Sequence, residues 1–197
     1  MHGLINRALQ RFAEDAHGFA VWSEVAEAAQ PGLTGFEAML DYDDAVTGRV
    51  LAALAERTGT PSEMLLEDLG TYLVCHPNTE ALRRLLRFGG DSFTEFLYSL
   101  DDLADRVRLA VPDLVLPPLE LTEHMPGRFT LRAGPGLAGF GHVVIGLLRA
   151  MADDYGVLAL VELAADGAEG AQVAVSVAEA AFAKGRSFDL ALLGGAA

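Results

Sequence analysis

The sequence predicts an α+β domain, with helices first and a small antiparallel sheet after them. Two patterns indicate this fold class. Apolar residues recur at helical spacing in the segments before Pro112, and four later segments alternate with period two. With 197 residues and a hydrophobic fraction of 51%, the chain can bury the core of one domain. We expect that domain over residues 1–180, with a helical part at 1–112, a sheet-containing part at 113–180 and a C-terminal tail at 181–197.

Glycines, prolines and capping acids divide the helical part. Gly18 and Gly59 break two helical patterns, Asp43 is placed to cap a helix, and Pro112 closes the last one. Helices are therefore predicted over 4–16, 19–29, 44–57, 61–76, 78–89 and 93–111, with one further helical turn at 36–40.

Strand patterns dominate the remainder of the chain. Alternating runs at 119–123 and 128–132 flank Pro126-Gly127, which predicts a hairpin. A glycine-rich segment at 134–141 leads into a predicted helix at 143–155. Two more strands are predicted at 157–165 and 171–178, joined by a turn at Asp166-Gly167, so we expect four antiparallel strands.

Composition excludes several classes of function. The formal net charge is -14, which argues against nucleic acid or an anionic membrane as a partner. Cys75 is the single cysteine, so neither an intramolecular disulfide nor a cysteine-rich zinc site can form. No signal-peptide pattern or membrane-length apolar run occurs, and we expect a cytoplasmic location. Adjacent acids such as Asp153-Asp154 are predicted to cap a helix or to be solvated, no Ser-His-Asp arrangement is evident, and we expect no enzyme.

A series of motifs resembles the heme-nitric oxide/oxygen-binding (H-NOX) family along residues 1 to about 180. Each fragment is short, but their order and spacing are specific. They are Met1-x-Gly3-x-Ile5-Asn6, Trp22, Tyr42-Asp43-Asp44, Leu66-Glu67-x-x-Gly70, Phe96-Leu97-x-x-Leu100-Asp101-x-Leu103, Arg106-Val107, Pro112 and Pro117-Pro118.

The resemblance implies a cavity between the helical part and the sheet. In the family this cavity holds heme b, which one histidine ligates and a Tyr-x-Ser-x-Arg motif anchors at its propionates. Such proteins sense nitric oxide or oxygen and signal to enzymes such as a histidine kinase or a diguanylate cyclase. Carried over by position, the cavity-lining residues of this chain are Ile5, Leu9, Leu73, Leu97, Ala104, Val107 and Pro118; each also fits ordinary core packing.

This sequence departs from the family at both anchors of the heme. The position of the ligand histidine holds Ala104, whose methyl group has no lone pair for iron. The Tyr-x-Ser-x-Arg positions fall on Ala133, Pro135 and Leu137. Among the five histidines, His142 is the alternative metal ligand.

Three interpretations of function follow. The first is a signalling or sensor domain with impaired or lost heme ligation, whose cavity binds a hydrophobic small molecule such as a lipid-like chain. The second is a heme-binding gas sensor that uses a substitute ligand. The third is a ligand-free regulator that binds a partner protein and fills the cavity with side chains.

Overall fold

The computed structural model describes residues 1–179, and the predicted tail at 181–197 lies outside them. Eight α-helices and four β-strands are described in this part of the chain, together with 3₁₀ turns at Pro77–Thr79 and Ser99–Asp102. The helices are α1 (Gly3–His17), α2 (Phe19–Ala29), α3 (Asp44–Thr58), α4 (Ser62–Cys75), α5 (Glu80–Arg87), α6 (Phe93–Tyr98), α7 (Leu103–Ala110) and α8 (Phe140–Tyr155). The strands are β1 (Leu119–Met125), β2 (Arg128–Ala133), β3 (Leu158–Gly167) and β4 (Gly170–Glu179).

The four strands form one antiparallel sheet in the order β1-β2-β4-β3, which confirms the predicted fold class. Alternate residues of the sheet face the helices. Leu131 pairs with Val173, and Val161 pairs with Val175; all four side chains are buried. Helix α8 packs against this inner face, chiefly along β3.

Two predicted helical segments differ from the structure. The predicted helix at 93–111 is divided into α6, a 3₁₀ turn and α7, because the carbonyl of Ser99 accepts a hydrogen bond from Arg106 and the amide of Leu103 donates to Leu100. The predicted helical turn at 36–40 is irregular chain ending in a turn. The amide of Leu40 donates to the carbonyl of Glu37 at 3.3 Å and closes this turn, whereas the amide of Phe36 donates to the side chain of Gln10 at 2.9 Å.

The interrupted helix is also attached to the edge of the sheet. The carboxylate of Asp101, in the 3₁₀ turn, accepts the backbone N–H of Leu121 on β1 at 2.7 Å. Tyr98 donates to Glu123 of the same strand. These contacts fix the start of α7 relative to the sheet.

Helices α4 and α8 cross at two glycines. A Cβ atom on Gly70 would lie 2.1 Å from the carbonyl oxygen of Val143, and one on Gly146 would lie 1.8 Å from that of Glu67. Real Cβ atoms essentially never lie within 3.0 Å of such an atom, so only glycine fits at these two positions. The backbones of α4 and α8 are therefore in direct contact. The motif at 66–70 therefore includes a structural contact.

Buried apolar residues form two clusters, and the boundary between the two lies within α4. The first cluster joins α1 to the first part of α4 and includes Phe12, Trp22 and Leu65. The second begins at Val74 and extends through α5–α8 and the inner face of the sheet. Within residues 1–179, no helix is long and apolar enough to span a membrane.

Candidate ligand site

Ala104 lies in the first turn of α7, between two residues that anchor this helix in the second cluster. Leu103 and Val107 are buried, and Ala104 itself is half-buried. The side chain of Ala104 offers a methyl group and no polar atom. This part of α7 can make apolar contacts but cannot ligate a metal through residue 104.

Arg106 fixes the orientation of α7. Its Nη2 donates to the carbonyl and hydroxyl oxygens of Ser99 at 2.8 and 3.2 Å, and its Nη1 donates to the carbonyl of Leu85 at 3.4 Å. One guanidinium thus joins α7, the 3₁₀ turn and the end of α5. A cation at the carbonyl end of α5 also interacts favourably with the dipole of that helix.

The structure brings part of the predicted cavity lining together. Leu97 (0% exposed) and Val107 (7% exposed) are buried in the second cluster, and the half-buried Ile5 packs against it. Leu9 and Leu73 belong with the first cluster instead. Ligand contact at all these residues stays a prediction.

Pro118 is exposed at the start of β1. Its carbonyl accepts the amide N–H of Gly134 at 2.8 Å, so it borders the glycine-rich segment. Its contact with a ligand also stays a prediction.

The three positions that correspond to Tyr-x-Ser-x-Arg line one small cavity. Ala133, Pro135 and Leu137 border a space of about 110 Å³, together with the remaining backbone of 134–141 and the turn between β3 and β4. Asp166 is the one charged residue of this lining, which contains no hydroxyl and no basic side chain. The side chains of this lining therefore offer no positive charge that would attract a carboxylate group.

A second cavity lies beside α6 and has a volume of about 140 Å³. Phe93, Tyr155 and Val177 contribute to its lining, with Asp91 and Ser92 at the chain segment before α6. Pockets for small-molecule ligands usually enclose about 300–1,000 Å³. Neither of these two cavities reaches that range.

His142 lies in the contact between α8 and α4. Its Nδ1 is 3.2 Å from Oε1 of Glu67, and its side chain is 14% exposed. Arg149, two turns further along α8, donates to the other oxygen of Glu67 at 2.6 Å and to the carbonyl of Val161 at 2.9 Å. This arrangement gives His142 a structural role beside the glycine crossing.

The prediction that Asp153-Asp154 caps a helix or is solvated is wrong for Asp154. This residue is 5% exposed and forms ion pairs with Arg83 and with Nε of Arg87, the latter at 3.6 Å. The guanidinium of Arg87 also lies 3.9 Å above the ring of Tyr155. Arg83 and Arg87 lie four residues apart on α5 and therefore share one helix face. This spacing is the sequence signal that could have indicated a common acidic partner.

A polar cluster joins α1 to the end of α4. Oδ2 of Asp15 accepts the hydroxyl of Tyr72 at 2.6 Å and Nδ2 of Asn78 at 3.0 Å. The hydrogen bond from Tyr72 lowers the pKa of Asp15. Burial, with the hydrogen bond to Asp15, raises the pKa of Tyr72 to about 12. Within residues 1–179, no group of three or more His, Cys, Asp or Glu residues is placed to hold a metal ion.

The Tyr72 hydroxyl should make stability depend on alkaline pH. A tyrosine in an unfolded chain has a pKa near 10, so the raised folded value of about 12 stabilises the fold below pH 10. That contribution, on the order of 2 kcal/mol, is lost as the pH rises from about 10 to 12. Urea unfolding across this range should show a steeper loss for the native chain than for Tyr72→Phe. Parallel pH profiles would contradict the assignment.

Comparison with known proteins places this geometry in a family. The sequence profile described as Haem-NO-binding (HNOB) matches residues 2–162. Soluble guanylate cyclase gcy-31 of Caenorhabditis elegans is 26% identical over 149 residues, which cover 76% of this chain and 21% of that protein. Soluble guanylate cyclase 89Db of Drosophila melanogaster is 21% identical over 155 residues, which cover 79% and 23%. The chain thus spans about a fifth of the length of these curated relatives.

Solved structures show the same fold. The Fe(II) unliganded H-NOX protein from K. algicida superposes with a TM-score of 0.78 at 17% identity, covering 93% of this chain and 100% of that one. An H-NOX protein from S. oneidensis in the Fe(II)NO ligation state gives 0.73 at 19% identity, covering 91% and 100%. Because the family profile matches most of the sequence and the fold agrees, the resemblance seen in the motifs is confirmed: this chain belongs to the Haem-NO-binding (HNOB) family.

Proposed function

We propose that this chain is a sensor-family signalling domain that works without heme iron ligated from α7. The observation that carries the proposal is Ala104, a half-buried methyl side chain in the first turn of that helix. Its buried neighbours Leu103 and Val107 are apolar as well. Iron needs a lone-pair donor, and this segment of α7 supplies none at residue 104.

The residues around the glycine-rich segment do not fit the propionate groups of heme. Ala133, Pro135 and Leu137 contribute no hydrogen-bond donor from their side chains. Asp166, in the same lining, would repel a carboxylate rather than bind it. The charge of this cavity therefore supports the same proposal as Ala104 does.

Two occupants are in competition for the ligand space that the family resemblance implies beside α7. The first is a hydrophobic small molecule, such as a lipid-like chain, in contact with Ile5, Leu97 and Val107. These side chains are apolar, and burying apolar surface contributes roughly 25 cal/mol per Å². In this version the domain senses an apolar ligand instead of a gas bound to iron.

The second occupant is the protein's own side chains, which makes the domain a ligand-free regulator that binds a partner protein. The packing favours this version, since Leu97 is fully buried and Val107 is only 7% exposed. The partner in either version is a signalling enzyme, such as a histidine kinase or a diguanylate cyclase. The matched relatives are themselves named guanylate cyclases, which supports that class of partner.

A gas sensor that uses His142 as a substitute ligand is less consistent with the geometry. Nδ1 of His142 faces Glu67 at 3.2 Å, in the contact between α4 and α8, whereas Ala104 lies on α7. With Nδ1 held by Glu67, only Nε2 of His142 could bind iron, and this side chain lies between α4 and α8 rather than at residue 104 of α7.

An absorbance spectrum and a native mass spectrum test the proposal together. Purified protein mixed with hemin should show only the spectrum of free heme. Native mass spectrometry should give a bound apolar species for the first version and the bare chain mass for the second. A Soret band of protein-ligated heme would overturn the proposal in both versions.

The substitution Ala104→His distinguishes a chain that has lost only the iron-ligating residue from one that has also lost the cavity. If the space beside α7 still admits a porphyrin, the variant should acquire a ligated Soret band that the native chain lacks. If side chains fill the space, the variant should show no Soret band of ligated heme. Ala110→His, at the exposed end of α7, is the matched control and should bind no heme in either case.

A further inference from the structure

The joint between α4 and α5 contains polar groups that the proposed function does not use. His76 directly follows α4, and its ring stacks on Tyr72 with the centroids 4.6 Å apart. Tyr72 in turn donates to Asp15 of α1. The His76 side chain is 33% exposed, so it can exchange protons with water.

Nδ1 of His76 faces two partners with opposite requirements. It accepts the backbone N–H of Asn78 at 3.3 Å and so caps the 3₁₀ turn that leads into α5. The same atom lies 3.6 Å from Oδ2 of Asp15. A ring nitrogen with a lone pair can serve Asn78, whereas a protonated one can serve only Asp15. Both partners cannot be satisfied by Nδ1 in one protonation state.

The neighbouring groups hold their charge while the imidazole titrates. The hydrogen bond from Tyr72 lowers the pKa of Asp15, and burial raises the pKa of Tyr72 to about 12. Between about pH 8 and pH 5, where histidines gain a proton, Asp15 is therefore an anion and Tyr72 a neutral donor. Arg11 of α1 also acts on Asp15, and it pairs with Glu14 at 3.0 Å.

We propose that His76 is a proton-operated switch at this joint. When neutral, it caps the 3₁₀ turn through Asn78; when protonated at Nδ1, it releases Asn78 and pairs with Asp15, drawing the turn toward α1. The change can reach the rest of the domain through α5, because the carbonyl of Leu85 is bonded to Arg106 of α7. This switch does not depend on what occupies the space beside α7.

Heteronuclear NMR on the full chain tests the switch. On acidification from about pH 8 to pH 5, the Nδ1 resonance of His76 and the amide of Asn78 should shift with a common midpoint, and the Asn78 amide should exchange faster with water. Asp15→Asn retains an oxygen for the Tyr72 hydroxyl but removes the charge. In this variant the transition should move to lower pH, because the protonated ring loses its anionic partner.

Two further variants complete the test. His76→Gln should abolish the Asn78 transition while circular dichroism shows an intact fold, and His124→Gln, in the exposed β1–β2 hairpin, should leave the transition unchanged. An Asn78 amide that stays constant while His76 titrates would overturn the proposal. So would an unchanged midpoint in Asp15→Asn, which decides the matter even if His76→Gln does not fold.

Discussion

Gly146→Ala is expected to destabilise the domain by about 3 kcal/mol or more. The new Cβ atom would lie 1.8 Å from the carbonyl oxygen of Glu67, which is backbone and cannot rotate away. Helices α4 and α8 would have to separate at their crossing, which would also disturb Glu67, His142 and Arg149. Thermal unfolding should show a Tm lower by roughly 6–12 °C.

Gly48→Ala is the matched control for this substitution. Gly48 lies within α3, and a Cβ atom there would meet nothing within 4 Å. Alanine has the higher helix propensity, so this variant should gain about 0.5–1 kcal/mol. If both variants unfolded at the same urea concentration as the native chain, close backbone contact between α4 and α8 would be refuted.

Asp154→Asn should cost about 3 kcal/mol of unfolding free energy. The substitution removes the buried anion that Arg83 and Arg87 share, and leaves two partly buried cations without its charge. Since Arg87 also lies over Tyr155, the end of α8 and helix α5 should loosen together. Urea unfolding gives the change in free energy, and amide hydrogen exchange should localise it to α5 and the end of α8.

The control for this prediction is the neighbouring acid. Asp153 is exposed, so Asp153→Asn should change the unfolding free energy by no more than about 0.5 kcal/mol. Equal effects at 153 and 154 would show that the two acids share one environment. The ion pairs across α5 and α8 would then contribute little.

Element boundaries could be predicted wherever the signal is local. Gly59 ends α3 in the left-handed conformation with φ 71°, and the carboxylate of Asp43 caps the same helix through the amide of Ala45. Both signals lie within two residues of the boundary that they set. The break between α6 and α7 has no such signal, because it depends on Arg106 and on the contact of Asp101 with β1.

The candidate site shows the same division between local and distant contacts. Ala104 and its apolar neighbours Leu103 and Val107 could be read directly from the motifs. The roles of His142 and Asp154 could not, since His142 meets Glu67 from 75 positions away and Asp154 meets Arg83 from 71. Only the packing of α4 and α5 on α8 brings these groups together.

The carboxylate of Asp101 has a consequence for how copies of this protein behave beside one another in solution. Outer strands of a sheet are templates on which other chains can add, and natural proteins obstruct them with charge or with covering segments. On β1, the amide of Leu121 is already taken by Asp101, so an incoming strand would meet an occupied donor and an anion. This position protects the domain against aggregation by strand addition at that border.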